Sequence, residues 1–209
     1  EGIECDYSSK GLLGLYTTDE GFSEGKFEAE LMRQHGIQSS CLSPQKVVKI
    51  EPTVRPDIRG AILYETDSNL EPARFVRGLA SKVLEMGGKI EPGREARSVA
   101  VSDRKLMEVT TCDSTSRSKL DEVIYKAEEV VLATGAWSPE ISKQIGLRIP
   151  VQPAKGYSIT IPVQKFQQRP SIPMMAHEAR AALAPMGAKI RVAGTLEMSG
   201  LNTSINWRR

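Results

Sequence analysis

The run Glu129-Val130-Val131-Leu132-Ala133-Thr134-Gly135-Ala136-Trp137-Ser138 holds the residues whose types and order point most directly to ligand chemistry. Val130, Val131 and Leu132 read as a buried strand, after which bulk falls away through Ala133-Thr134-Gly135-Ala136. Small residues at a strand's carboxyl end let the backbone turn sharply or come close to a bound molecule, and glycine permits both. Open α/β sheets bind cofactors just outside the carboxyl ends of their strands. The chemistry suggested is therefore cofactor binding by backbone. A buried strand ending in a plain tight turn would carry the same pattern.

Other chemistries have less support. Cys5, Cys41 and Cys112 are odd in number and make no C-x-x-C, which argues against a disulfide framework or a zinc site. His35 and His177 are too few and too far apart to suggest a metal cluster, so no metal is expected. Lys and Arg number 28 against 26 Asp and Glu, and the basic residues are scattered. That excludes a nucleic-acid footprint and a polybasic membrane stripe. The 209 residues contain no signal peptide and no membrane-length apolar run, and unpaired cysteines make a reducing, cytoplasmic setting the default. Arg208-Arg209 reads as a cut site without chemical meaning.

The elements that must position such a site can be read from periodicity. Leu12, Leu13, Leu15 and Tyr16 suggest a strand. Phe22 to His35 suggests a helix, with Phe27, Leu31 and Met32 at helical spacing and Gly36 as its stop. Ser43-Pro44 starts a short helix, Ser43 as N-cap and Pro44 at the first helical position, and Pro52 ends it. Gly60 to Glu65 is a strand. Pro72 to Met86 is the strongest helix, with Phe75, Val76, Leu79, Val83 and Leu84 on one stripe read as core against a sheet. Gly87-Gly88 reads as its C-cap. Arg97 to Val101 and Leu106 to Thr111 read as hairpin strands joined at Ser102-Asp103-Arg104, and Ser114 to Lys119 as a loop. Val123 to Lys126 and Glu129 to Leu132 are the next strands. Tyr157 to Val163, Ala181 to Ala184 and Lys189 to Thr195 follow with no helical period between them, which disfavours parallel crossovers. The expected class is α+β with a mostly antiparallel sheet.

Taken in order, several segments resemble the FAD-dependent D-amino-acid oxidase superfamily, D-amino-acid dehydrogenases above all, with glycine and sarcosine oxidases as cousins. They are Asn69-Leu70-Glu71-Pro72-Ala73-Arg74-Phe75, Ala133 to Ser138, and Ile149-Pro150-Val151-Gln152-Pro153-Ala154-Lys155-Gly156-Tyr157-Ser158. Leu183-Ala184-Pro185-Met186-Gly187 and Ile190-Arg191-Val192-Ala193-Gly194-Thr195-Leu196-Glu197 complete the set, which covers almost the whole chain. The resemblance implies a substrate-binding domain over 1–93 and 149–209, with packed helices and a helix pair from which some members derive a substrate lid. A partial slice of the FAD-binding domain would lie over 94–148.

The resemblance further implies FAD as cofactor, with Val99, Ala133, Thr134, Gly135, Ala136 and Trp137 on its side and the strand at Arg97-Ser98-Val99 giving a backbone group to the adenine. Trp137 is equally well read as an apolar staple for the next helix. Flavin carries the redox chemistry, so no catalytic acid–base pair is assigned. A cation or hydroxyl is needed for the substrate carboxylate, and the candidates are Tyr157, Arg180, Arg191 and Lys155, Tyr157 foremost. Met174, Met175 and Met186 read either as a side-chain pocket or as core fillers.

The implied activity is oxidation of the amine-bearing carbon of a D-amino acid or a glycine- or sarcosine-like substrate, with hydride passing to flavin. Oxidation of a 2-hydroxy acid and a non-catalytic binding module of the same fold are the alternatives. The family's G-x-G-x-x-G segment is missing, as is its glycine-rich C-terminal segment. The expectation is an internal fragment, inactive and without FAD when alone. Its partners would be a small amino acid and the missing FAD-binding segments, with no nucleic acid. The parent would be cytoplasmic, peripheral attachment to the inner membrane being the alternative.

Overall fold

A computed structural model describes residues 2–102, 106–115, 121–165 and 168–207. The predicted turn at Asp103-Arg104, the loop beyond Thr115 and the pair Arg208-Arg209 lie outside the described residues. The elements in chain order are β1 (Leu12–Tyr16), α1 (Asp19–Gln34), β2 (Ser39–Leu42), α2 (Pro44–Ile50), β3 (Gly60–Tyr64), α3 (Pro72–Glu85), β4 (Arg94–Ser102), β5 (Leu106–Asp113), β6 (Val123–Ala127), α4 (Ser138–Lys143), β7 (Lys155–Pro162), β8 (Met174–Ala176), β9 (Ala181–Met186) and β10 (Lys189–Glu197). Contacts divide the chain into Glu1–Met86 with Gly156–Thr195, and Gly87–Lys155 with Leu196–Arg209.

The first unit holds a seven-stranded sheet in the order β2-β3-β1-β8-β9-β10-β7. β1 pairs β3 antiparallel, β2 pairs β3 antiparallel, and the β8–β9–β10 run is antiparallel throughout; β1 and β8 are parallel. The class is α+β with a predominantly antiparallel sheet, as the unbroken succession of strands requires. Leu13, Val47, Val54, Ile58, Ala61, Ile172 and Met174 form the core, with Leu15, Leu42, Leu63 and Leu183 against it. Met174 is thereby a core filler.

The helices dock in different ways, and the face predicted for α3 is overturned. α1 starts at its Thr18 N-cap, whose hydroxyl accepts the Gly21 N–H. It docks through Gly25 and Ala29 onto Tyr16 and Ile62, while Phe27 is 75% exposed. Small side chains let helix and sheet approach, and they leave little hydrophobic signal in the sequence. α3 forms over the expected residues, yet none of them is buried, and Val76, Leu79, Val83 and Leu84 are exposed. Its anchor is its N-terminal end, where Glu71 N–H donates to Cys5 O at 2.7 Å and Arg74 pairs with Asp6 at 3.0 Å. The stripe is amphipathic, and the described residues of this unit do not bury it.

A single buried carboxylate ties the start of β8 to α2. Glu51, at the end of α2, is 1% exposed. It accepts the Thr53 N–H and hydroxyl on one oxygen, and the Ser171 N–H, Ser171 hydroxyl and Ile172 N–H on the other. Burial alone would raise its pKa, but these donors outweigh it and hold the carboxyl below its ordinary value.

The second unit is built on the antiparallel sheet β4-β5-β6. The strand predicted over Glu129 to Leu132 does not form. Those residues are irregular and Val131 is 88% exposed. An apolar run becomes a strand only beside a partner for its backbone groups, and no described strand lies alongside it.

Glu51→Gln turns an acceptor oxygen into an amide donor facing other donors and should cost roughly 2–3 kcal/mol. Because the folded carboxyl is held below its unfolded value, its stabilisation is complete above the unfolded value and is lost as pH falls through the folded one. Urea unfolding across that acid range should therefore show a steeper loss for the wild type than for Glu51→Gln.

Candidate functional site

In the second unit the predicted cofactor turn has the backbone that glycine is needed for. Gly135 has φ +54°, and nothing lies within 4 Å of where its Cβ would stand. Gly135–Trp137 make one 3-10 turn, closed by Trp137 N–H donating to Thr134 O at 3.1 Å, and α4 follows directly. The Thr134 and Ser138 hydroxyls meet at 3.1 Å, with Ser138 buried. Ala133, Gly135 and Trp137 face outward, while Thr134 and Ala136 are half-buried. Trp137 is 55% exposed, which leaves its ring open to a partner instead of stapling α4.

Val99 occupies β4 beside a bulge between Ala96 and Ser98, with its side chain buried. Its N–H donates to Gln144 Oε1 at 3.1 Å, and Gln144 Nε2 donates to Arg97 O at 3.0 Å. One amide side chain therefore spans two backbone groups on the edge of β4 expected to face adenine. No feature of the sequence singles out Gln144. Lys155, also in this unit, is committed to the carbonyls of Asn202 at 3.1 Å and Ser204 at 2.5 Å and to Glu197 at 3.5 Å.

The first unit holds the other three carboxylate candidates, and it separates them. Arg180 ends the turn between β8 and β9 with φ +49°, its N–H donating to His177 O at 3.0 Å. Arg191 lies opposite Ala184, toward the other end of the β9–β10 hairpin. It lines a cleft with Thr160, and strand alternation sends Tyr157 to the face opposite Thr160. These three do not converge on one ligand group. Near the Arg180 turn, Tyr16 stacks on His177 with ring centroids 4.4 Å apart. The Tyr16 hydroxyl is buried without a partner among the described residues, and burial pushes its pKa up. Glu178 in the same turn accepts the Thr17 and Thr18 N–H groups and the Thr18 hydroxyl. Those bonds hold its carboxyl below the ordinary value despite some burial.

No group of His, Cys, Asp and Glu among the described residues could hold a metal ion, and no described helix is long and apolar enough to cross a membrane. The cysteines are unbridged, with Cys5 and Cys112 buried and Cys41 exposed.

The fold is of a predominantly antiparallel α+β class, and comparison with known proteins identifies the family. Residues 1–209 match the family described as FAD dependent oxidoreductase (DAO), and the chain belongs to that family. It is 28% identical to a D-amino acid dehydrogenase of Rhizobium rhizogenes over 211 residues, covering all of this chain and 49% of the relative. It is 30% identical to the D-amino acid dehydrogenase of Paramagnetospirillum magneticum over 208 residues, 98% of this chain and 47% of that one. The crystal structure of glycine oxidase from Geobacillus kaustophilus shares the fold, with TM-score 0.81 and 20% identity over 99% of this chain and 53% of that one. The chain spans about half the length of the curated relatives it matches.

Gly135→Ala should destabilise the second unit by roughly 1–2 kcal/mol through its left-handed backbone alone, since the space above it is open. Hydrogen exchange at Thr134 to Gln144 should accelerate, with β1 and β3 amides unchanged.

Proposed function

We propose that the chain is part of a longer FAD-dependent oxidoreductase that oxidises the amine-bearing carbon of an amino acid, a D-amino acid or one like glycine or sarcosine. The observation that carries this reading is the open turn at Ala133 to Trp137, with Gly135 at positive φ and an exposed indole beside it. Such a turn lets a flat ring system rest on backbone and aromatic surface. FAD, when bound beside this turn, would supply the redox chemistry as the hydride acceptor for the amine-bearing carbon. The fit is unequal along the site. The open space at Gly135 supports a cofactor lying against the Ala133 to Trp137 turn, whereas the Val99 N–H already donates to Gln144 and would be free for adenine only if that amide moved.

For the substrate carboxylate, Arg180 is the residue this reading favours. It is exposed and has no ion-pair partner among the described residues. It also holds a left-handed φ that glycine would adopt without strain, and strain retained at a non-glycine residue is an observation that function can account for. Lys155 is engaged by carbonyls and Glu197, and Tyr157 and Arg191 lie on opposite faces, which weighs against these three acting together.

The test is a screen of D-amino acids, glycine derivatives and 2-hydroxy acids on the full-length gene product with an artificial electron acceptor. Turnover of amino acids supports the reading, and turnover of 2-hydroxy acids alone overturns it. Arg180→Gly should raise KM for the carboxylate substrate at least ~tenfold while stabilising the fold by about 1 kcal/mol. A variant that is stabilised with KM unchanged removes Arg180 from the site. The 209-residue chain, having no G-x-G-x-x-G among its residues, should purify without a stoichiometric flavin absorption band.

A further inference from the structure

The N-terminal end of α3 and the turn of the β9–β10 hairpin enclose an open cleft of about 350 Å³ lined by Asp6, Glu71, Arg74, Arg77, Thr160, Lys189 and Arg191, among others. Four cations thus face two carboxylates, and both carboxylates are committed. Asp6 pairs with Arg74 at 3.0 Å, and Glu71 accepts the Arg74 backbone N–H to cap α3. Arg77 donates its Nε to Ala73 O, which leaves its terminal nitrogens for the cleft. Among the described residues, Arg77, Lys189 and Arg191 have no ion-pair partner. Arg74 and Arg77 are neighbours on one helix face, and Lys189 and Arg191 share one strand face, so like charges are held close at a cost in stability.

The hairpin turn approaches the Asp6–Arg74 pair closely. Gly187, in that turn, has φ +56°, and a Cβ there would stand 2.6 Å from Asp6 Oδ2. Asp6 has φ +51°. This approach brings Lys189 and Arg191 to the same cleft as Arg77. A concave surface with unmatched cations focuses positive potential and suits a compact ligand of charge −2. Guanidinium forks match the oxygens of a phosphate group two at a time, with an ammonium as a point charge beside them.

We propose that this cleft is a binding site for a phosphate-type dianion, with Arg77, Lys189 and Arg191 as its cationic ligands and the Thr160 hydroxyl as a further donor. The site is independent of the flavin reading, because every residue in it lies in the first unit and none belongs to the Ala133 to Trp137 turn.

Titration calorimetry of the 209-residue chain with inorganic phosphate, at ionic strength held constant with sodium chloride, tests it. Saturable binding is expected, at least ~tenfold weaker in the double variant Lys189→Gln, Arg191→Gln and in Arg77→Gln. Arg55→Gln, which removes an exposed cation paired with Asp57 elsewhere, should bind as the wild type does. The charge-keeping double variant Lys189→Arg, Arg191→Lys should retain binding within a few-fold, separating loss of the site from loss of the fold. Tighter binding of methyl phosphate than of phosphate marks a phosphate ester as the natural ligand, and the reverse order marks the free ion; either supports the site. Heats no larger than those of added chloride, or unchanged binding in the glutamine variants, overturn it.

Discussion

The first unit depends on one buried carboxylate. Burying a charge is unfavourable unless it is fully hydrogen-bonded, and Glu51 meets that condition with donors from Thr53, Ser171 and Ile172. It thereby joins the end of α2 to a segment about 120 residues later. That segment leads into β8, the strand between β1 and β9 at the middle of the sheet. The clasp sets where β8 begins, and β8 brings the β9–β10 hairpin to the N-terminal strands. The core residues Val47, Ile172 and Met174 lie around it, so apolar packing and the charge constrain the same junction.

Both ends of the β9–β10 hairpin region are shaped by left-handed backbone. At one end Arg180 adopts it in the turn from β8, and at the other Asp6 and Gly187 adopt it facing each other. Non-glycine residues there cost energy that neighbouring contacts must offset. Asp6 has such a contact in Arg74, whereas Arg180, among the described residues, is tied by the turn hydrogen bond to His177.

The chain belongs to the DAO family of FAD-dependent oxidoreductases. The second unit adds a feature that family likeness did not lead us to expect. Gln144 bridges Arg97 O and Val99 N–H, so the edge of β4 is satisfied internally. The Gly135 turn leaves open space where a Cβ would stand, whereas the backbone of β4 at Arg97 and Val99 is occupied by Gln144.

Strand and helix positions were legible in the sequence because periodicity depends only on neighbouring residues. Leu12 to Tyr16, Pro72 to Glu85 and Lys189 to Thr195 fall where their patterns put them, as does the positive φ at Gly135 after Ala133-Thr134. Three things were not legible, since each depends on residues distant in the chain. Val130-Val131-Leu132 is apolar enough for a strand but lacks a described neighbour to pair with, and α3 carries a core-like stripe that the described residues of its unit do not bury. The grouping of Arg74 and Arg77 with Lys189 and Arg191 is invisible to spacing, for more than a hundred residues separate the two pairs. Local pattern determined which segments would be helix or strand. Only tertiary packing decided which faces are buried and which charges meet, because burial and Coulomb interaction act through space and not along the chain.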